Sequence, residues 1–113
     1  MGATKELNYQ EEQKQLAVIS KAMSHPARIA ILQFVVENGE CINTELVEVL
    51  GLAQPTVSQH LAELRKANLI LGRGEGTRMY YRINLEYWQT IEEEFQSFFG
   101  SLLKSVTAKE EVY

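Results

Sequence analysis

Apolar residues first return along this chain at spacings of three and four. Leu16, Ile19, Ala22 and Met23 recur inside a run rich in Glu, Gln and Lys, which is the period of one helical face. The spacing predicts a first helix from Tyr9 to Met23. His25-Pro26 stops it, because the residue before a proline is pushed out of the α region, while Pro26 fits the first turn of a new helix. That second helix runs to about Glu37 with Ile29, Leu32, Val35 and Val36 turned inward, and Asn38-Gly39 supplies the left-handed residue that ends it. A third, short helix begins where Asn43 or Thr44 caps the free amides and carries Leu46, Val47, Val49 and Leu50 up to Gly51. Gln54-Pro55 opens a fourth, in which Val57, Leu61 and Leu64 form the apolar stripe and Thr56, Ser58, Gln59, Glu63 and Lys66 lie off it.

The period then changes. Leu69 to Arg73 and Arg78 to Ile83 are short runs of β-branched, aromatic and apolar residues, and the intervening Gly74-Glu75-Gly76-Thr77 has the glycines of a hairpin loop. Asn84 caps a last helix striped with Trp88, Ile91, Phe95, Phe98, Phe99 and Leu102, with Glu92, Glu93 and Glu94 facing water, and the final ten residues are expected to fray. The expected fold is mainly α with a small β-hairpin, a winged helix-turn-helix in the order four helices, hairpin, fifth helix. A single domain is expected over residues 1–113, with the helix-turn-helix at 43–67 and the wing at 69–83. The stripe of the last helix exceeds what so small a core needs. A homodimer is therefore expected through segments 1–24 and 84–104, using Leu16, Ile19, Trp88, Ile91, Phe95, Phe98, Phe99 and Leu102.

Composition narrows the class further. With 113 residues, 45% of them hydrophobic and 23% charged, one ordinary core is expected. The longest apolar runs, such as Ile29 to Leu32, fall far short of the ~20 residues of a membrane span, and Met1 to Gln15 lacks the apolar region of a secretion signal. A cytoplasmic protein is expected. One cysteine, Cys41, permits no internal disulfide, and with His25 and His60 it cannot supply a four-ligand zinc site. No cofactor and no bound metal are expected, and no nucleophile with a base, or paired carboxylates, points to an enzyme.

Net charge is −4, yet its distribution is uneven. Residues 1–53 carry −3 and residues 83–113 carry −4, whereas residues 54–82 set Arg65, Lys66, Arg73, Arg78 and Arg82 against Glu63 and Glu75 for +3. Positive charge thus coincides with the fourth helix and the hairpin, which points to double-stranded DNA. Gln54, Thr56, Ser58, Gln59 and His60 are the candidate groups near the helix start, where side chains reach base edges. Arg65 and Lys66 lie further along, suited to phosphates, and Arg73 and Arg78 flank the wing loop to straddle a backbone or enter a minor groove. Arg82 is expected to pair with a glutamate of the last helix instead, and His25 to cap its turn. The competing class is a winged-helix module that binds protein and not DNA; arginines on both sides of the loop and a reading face without large hydrophobes argue against it.

The segments AMSHPARIAILQFV from Ala22, QPTVSQHLAELRKANLI from Gln54 and RGEGTRMYYRI from Arg73 resemble the ArsR/SmtB family of bacterial repressors. The resemblance implies a dimeric repressor on a pseudo-palindromic operator, released in many members by metal binding or thiol oxidation. The positions that sense these signals are mostly replaced. Where the resembled metal sensors carry Cys-x-Cys, Glu40 to Leu46 keeps Cys41 and has Asn43 for the second thiol, and the zinc positions of the last helix fall near Leu85, Tyr87, Phe98 and Ser101. Three routes stay open: repression without an effector, a small apolar ligand, or reaction at Cys41. That thiol reads either as a small buried hydrophobe or as a group activated by the free amides of the third helix.

Overall fold

A computed structural model describes residues 8–110 of the chain. Helix α1 spans Glu11–Ala22, its start held by the Gln10 amide, which donates to Gln13 Oε1 at 2.9 Å. His25 caps α2, Pro26–Asn38: its Nδ1 accepts from the Ala27 amide at 3.0 Å, with Pro26 at the first helical position as expected. Gly39, at φ +77°, ends α2.

The next element was not legible in the sequence. Strand β1, Cys41–Ile42, pairs antiparallel with the second wing strand, so the wing is a three-stranded sheet and not a bare hairpin. Helix α3, Asn43–Leu50, follows at once. Its cap also differs from expectation, because Asn43 and Thr44 lie inside the helix; Glu45 Oε1 instead accepts from the Ile42 amide at 2.8 Å. Gly51, in the left-handed region, turns the chain into α4, Gln54–Lys66.

Helix α4 ends in a left-handed turn at Asn68, φ +65°, where the Leu69 amide donates to the Leu64 carbonyl at 3.0 Å. Asparagine tolerates this conformation better than other residues with a side chain. Of the wing strands, β3, Arg78–Ile83, spans the expected residues, while β2, Ile70–Glu75, begins one residue later and runs two residues further than the sequence suggested. They close through Gly76-Thr77 alone. Gly76 sits at φ +63° and Thr77 is not among the positive-φ residues, the pattern of a two-residue turn whose twist matches the strands. Helix α5, Leu85–Glu110, is longer than expected as well. Of the ten residues expected to fray, the described ones continue the helix; residues 111–113 lie outside the described residues, as do residues 1–7 of the proposed N-terminal arm.

Every helix contributes to one core. Ile19 of α1, Ile31 and Val35 of α2, Leu46 of α3, Val57, Leu61 and Leu64 of α4, and Ile91 of α5 are buried together with Leu69 and Ile70 at the wing base. Two side-chain hydrogen bonds fix α5 to that core. Trp88 Nε1 donates to the Leu69 carbonyl at 2.9 Å, and Gln15 Nε2 donates to the Tyr87 hydroxyl at 3.1 Å.

Leu61 is fully enclosed, so truncation removes transfer free energy and leaves a cavity. Leu61→Ala is expected to cost about 2 to 5 kcal/mol in urea unfolding at fixed protein concentration, whereas Val49→Ala on the exposed face of α3 should stay within about 0.5 kcal/mol.

Candidate nucleic-acid interface

Helix α4 buries Val57, Leu61 and Leu64, and this turns Gln54, Thr56, Ser58 and Gln59 to solvent. Two of these side chains are already oriented. Asn43 Nδ2 donates to Ser58 Oγ at 2.9 Å, and Gln59 Nε2 donates to Glu63 Oε2 at 3.2 Å. Between α4 and the wing runs a groove of about 340 Å³ lined by Ser58, Leu61, Ala62, Arg65, Lys66 and Tyr81. Arg65 lies along β2 in close approach to Gly72: a Cβ placed on Gly72 would stand 3.1 Å from the Arg65 guanidinium carbon. A glycine here makes room for the cation. Polar hydrogen-bonding groups at the helix start and two cations beside a groove give a surface able to meet base edges and phosphates.

The wing is less free than its sequence implied. Arg73 donates to Glu75 Oε2 at 2.6 Å and to Glu40 Oε1 at 3.1 Å, and its guanidinium lies 4.7 Å from the centre of the Tyr80 ring. The two carboxylates push its pKa up. Much of its charge is offset before any nucleic acid arrives. Arg78, exposed opposite Glu75 at the wing tip, makes no ion pair among the described residues. Neither does Arg82, so the expected pairing with a glutamate of α5 is corrected: its side chain is exposed on β3.

His60 is the largest revision. Expected to touch DNA, it is only 7% exposed. Its ring sits 4.6 Å from that of His25, and its Nδ1 accepts from Arg28 Nε at 3.1 Å. Burial first, then His25 and Arg28, hold its pKa below the ordinary value. Position 60 falls three residues after Val57 and four before Leu64, on the buried stripe itself, and that spacing was the available signal. Arg28, which the sequence reading passed over, also donates to the Ala22 carbonyl at 3.1 Å. One side chain thus ties α2 to both α4 and the end of α1.

For Cys41 the structure decides between the two readings. The residue lies in β1, ahead of α3, and is 1% exposed. Burial pushes its pKa up to about 11, with Glu45 and Glu40 adding to the shift. Apolar enclosure and two carboxylates outweigh the nearby helix amides, so the reading of an activated thiol does not hold. Asn43, where the resembled sensors place a second thiol, is turned to Ser58. No group of three or more metal-binding side chains occurs among the described residues.

The apolar face expected to pair two copies divides in two. Ile19 and Ile91 are buried in the chain's own core and are not available to a partner. Leu16, Trp88 and Phe95 are half-buried, while Phe98, Phe99 and Leu102 are exposed alongside Leu103 and Val106. From Gln96 to Lys109 every residue of α5 is exposed.

The state of Cys41 gives a direct check. Its pKa is pushed up from an ordinary 9.0 to about 11, which alone lowers the thiolate fraction at pH 8 by about a hundredfold. Labelling by a disulfide reagent at pH 8 is therefore expected to be at least about a hundredfold slower in the folded chain than in the urea-unfolded chain. Equal rates would restore the reactive thiol.

The model of the bacterial regulatory protein arsR family matches residues 25–70, from the cap of α2 to the start of β2. A helix-turn-helix transcriptional regulator of Methanocaldococcus jannaschii is 38% identical over 73 residues, 65% of this chain and 82% of its own length. The arsenic resistance transcriptional regulator ArsR1 of Pseudomonas putida is 32% identical over 75 residues, 66% of this chain and 59% of that protein. Among solved structures, reduced HlyU from Vibrio cholerae superposes with a TM-score of 0.60 at 34% identity, over 65% of this chain and 76% of that one. The polar face of α4, the wing beside it and these likenesses agree: the chain belongs to the ArsR family of winged-helix transcriptional regulators and is a DNA-binding regulator rather than an enzyme.

Proposed function

We propose that the chain is a cytoplasmic homodimeric repressor that reads a pseudo-palindromic operator in double-stranded DNA and leaves it in response to a signal that does not act through Cys41. The observation that carries the reading is the solvent face of α4. In a chain of net charge −4, Gln54, Thr56, Ser58 and Gln59 stand exposed beside Arg65 and Lys66. In this reading the segments keep the division of one domain: helix-turn-helix at 43–67, wing at 69–83, dimerisation segments at 1–24 and 84–104. Ser58 and Gln59 read bases; Arg65, Lys66 and Arg78 meet phosphates, and Arg73 meets them only by exchanging its two carboxylates. His60 is left out of the contact set, since its side chain is buried.

Dimerisation is supported by α5. A row of Phe98, Phe99, Leu102, Leu103 and Val106 exposed on one helix is an apolar surface of the kind that marks an interface. A second copy provides a two-fold arrangement in which two α4 helices meet successive half-sites.

Two experiments test the proposal on DNA selected by the protein from a random pool. Gln59→Ala and Ser58→Ala should change the preferred sequence and cost about 1 to 3 kcal/mol at the selected site. Lys66→Ala and Arg78→Ala should instead weaken all DNA alike and make log K less steep in log salt by about one unit per lost contact. Identical salt slopes and preferences in both groups would defeat the division. Sedimentation at micromolar concentration should show a dimer that Phe98→Glu with Phe99→Glu converts to monomer, with loss of selective binding because two half-sites are read together. A monomeric wild-type chain would refute the pairing.

A further inference from the structure

Helix α4 reads DNA in the proposal above, and apolar packing is not all that sets its position. The junction behind it is unusual in chemistry. His60 is the one buried polar or charged side chain among the described residues, and its imidazole is placed where only one protonation state fits. Nδ1 accepts the Arg28 Nε hydrogen at 3.1 Å. A guanidinium nitrogen can only donate, so Nδ1 carries no proton while this bond stands. Protonation would put hydrogens on both ring nitrogens and break it.

The surroundings offer the imidazolium little. From α2 the His60 ring faces the permanent charge of Arg28, and from the cap of that helix it faces His25, 4.6 Å away. His25 uses Nδ1 to cap the Ala27 amide, so its remaining nitrogen carries hydrogen. The adjoining groove is lined by Lys21 of α1 and Lys66 of α4, two further cations, and by Glu63, the only carboxylate there. Glu63 already accepts from Gln59 and forms no ion pair among the described residues. Lys21 and Lys66 stand in the last turns of α1 and α4, where cations complement the helix ends. They leave the junction cationic.

We propose that Arg28 and His60 are positioning residues for DNA recognition: the bond between them sets α4 against α2 and the end of α1 only while His60 is neutral, so the loss of one proton acceptor at Nδ1 weakens operator binding. His60 sits directly after Ser58 and Gln59 in α4, and its ring fixes the rotation of the helix that aims both. Arg28 extends the same constraint to α1 through the Ala22 carbonyl. When the imidazole gains a proton, Arg28 must withdraw, three cations crowd one junction, and α4 keeps its apolar seat but loses its polar tie to the neighbouring helices.

The direction with pH follows from linkage. His60 is held below its ordinary pKa of 6.5, so between that value and its lower folded value the unfolded chain binds more protons than the folded one. The stabilisation is complete above about pH 6.5 and is lost as pH falls toward the folded value. Generic electrostatics predicts the opposite trend for DNA, because acidification makes any protein more positive and strengthens phosphate binding. The two effects therefore separate by sign.

The inference rests on the DNA-binding reading, and the test keeps the two apart. DNA is first selected by the full chain at pH 7.5; if none is selected, the DNA-binding reading fails and this inference falls with it. If DNA is selected, binding anisotropy and the His60 imidazole signals are followed together from pH 7.5 downward at constant salt, through the His60 midpoint. Wild-type affinity should have fallen about tenfold one pH unit below that midpoint, while His60→Gln, whose side-chain carbonyl still accepts from Arg28 but does not titrate, should stay within about twofold of its own value at pH 7.5. Constant or rising wild-type affinity on acidification, or the same fall in His60→Gln, would overturn the inference and leave the DNA-binding reading intact. Should His60→Gln not fold, the native chain still decides. The imidazole signals of His60 should titrate below the ordinary histidine value of 6.5, in step with the loss of DNA affinity; a His60 midpoint at the ordinary value, or affinity unchanged across it, would overturn the inference.

Discussion

A helix that reads nucleic acid has to be held by one face so that the other can stay bare, and in the proposed reading of this chain that constraint falls on α4. Val57, Leu61 and Leu64 anchor it to residues of α1, α2, α3 and α5. The polar residues between them are exposed because the anchored ones are not. Each element that follows α4 serves the same end. Asn68 reverses the chain so that the wing rises beside the helix, and Trp88 fastens α5 to the strand base through the Leu69 carbonyl. Burial of side chains without polar atoms supplies free energy but little rotational precision, since an aliphatic stripe tolerates repacking. Directional contacts such as those of Asn43, Arg28 and His60 supply the orientation that the stripe does not.

Charge is placed with similar economy. The chain is acidic overall, which opposes indiscriminate attraction to a polyanion, and its cations gather at the groove between α4 and the wing. Within that cluster the arginines are not equivalent. Arg73 is bound by Glu40 and Glu75 and rests on Tyr80, which braces the wing against the segment entering β1, whereas Arg78 is unpaired among the described residues. An arginine already satisfied is structural first, and its exchange onto a phosphate gains only the difference between two partners.

The helices were legible because burial on one side imposes a period of 3.6 residues, and the capping roles of His25 and Asn84 follow from their places before Pro26 and before the last helix; the Tyr87 amide does donate to Asn84 at 3.3 Å. Strand β1 was not, for two residues have no period, and its existence depends on β3 arriving from forty positions away. Cys41 was left with two readings for a related reason. Proximity to a helix start can be counted along the chain, but enclosure by distant residues cannot, and enclosure governs its pKa. His60 shows the limit most clearly: a histidine on a buried stripe and one on a reading face differ by a fraction of a helical turn, and its partner Arg28 lies thirty-two residues away. The ArsR likeness was written in contiguous motifs, while the division of the apolar stripe of α5 into a buried part at Ile91 and an exposed part at Phe98 and Phe99 required coordinates.

Gly72 carries the least chemistry of any residue at the groove, yet the Arg65 guanidinium lies so close that an added methyl would meet it at 3.1 Å. Only a neighbour that gives way by tenths of an ångström accepts such a contact. The gap between reading helix and wing is thus gauged by an absent side chain. A substitution at that position would displace the exposed Arg65 guanidinium by a few tenths of an ångström and so move one cation of the groove from a residue that itself touches no ligand. Grip in this architecture is adjustable from behind, at a site invisible to an inventory of contacting residues.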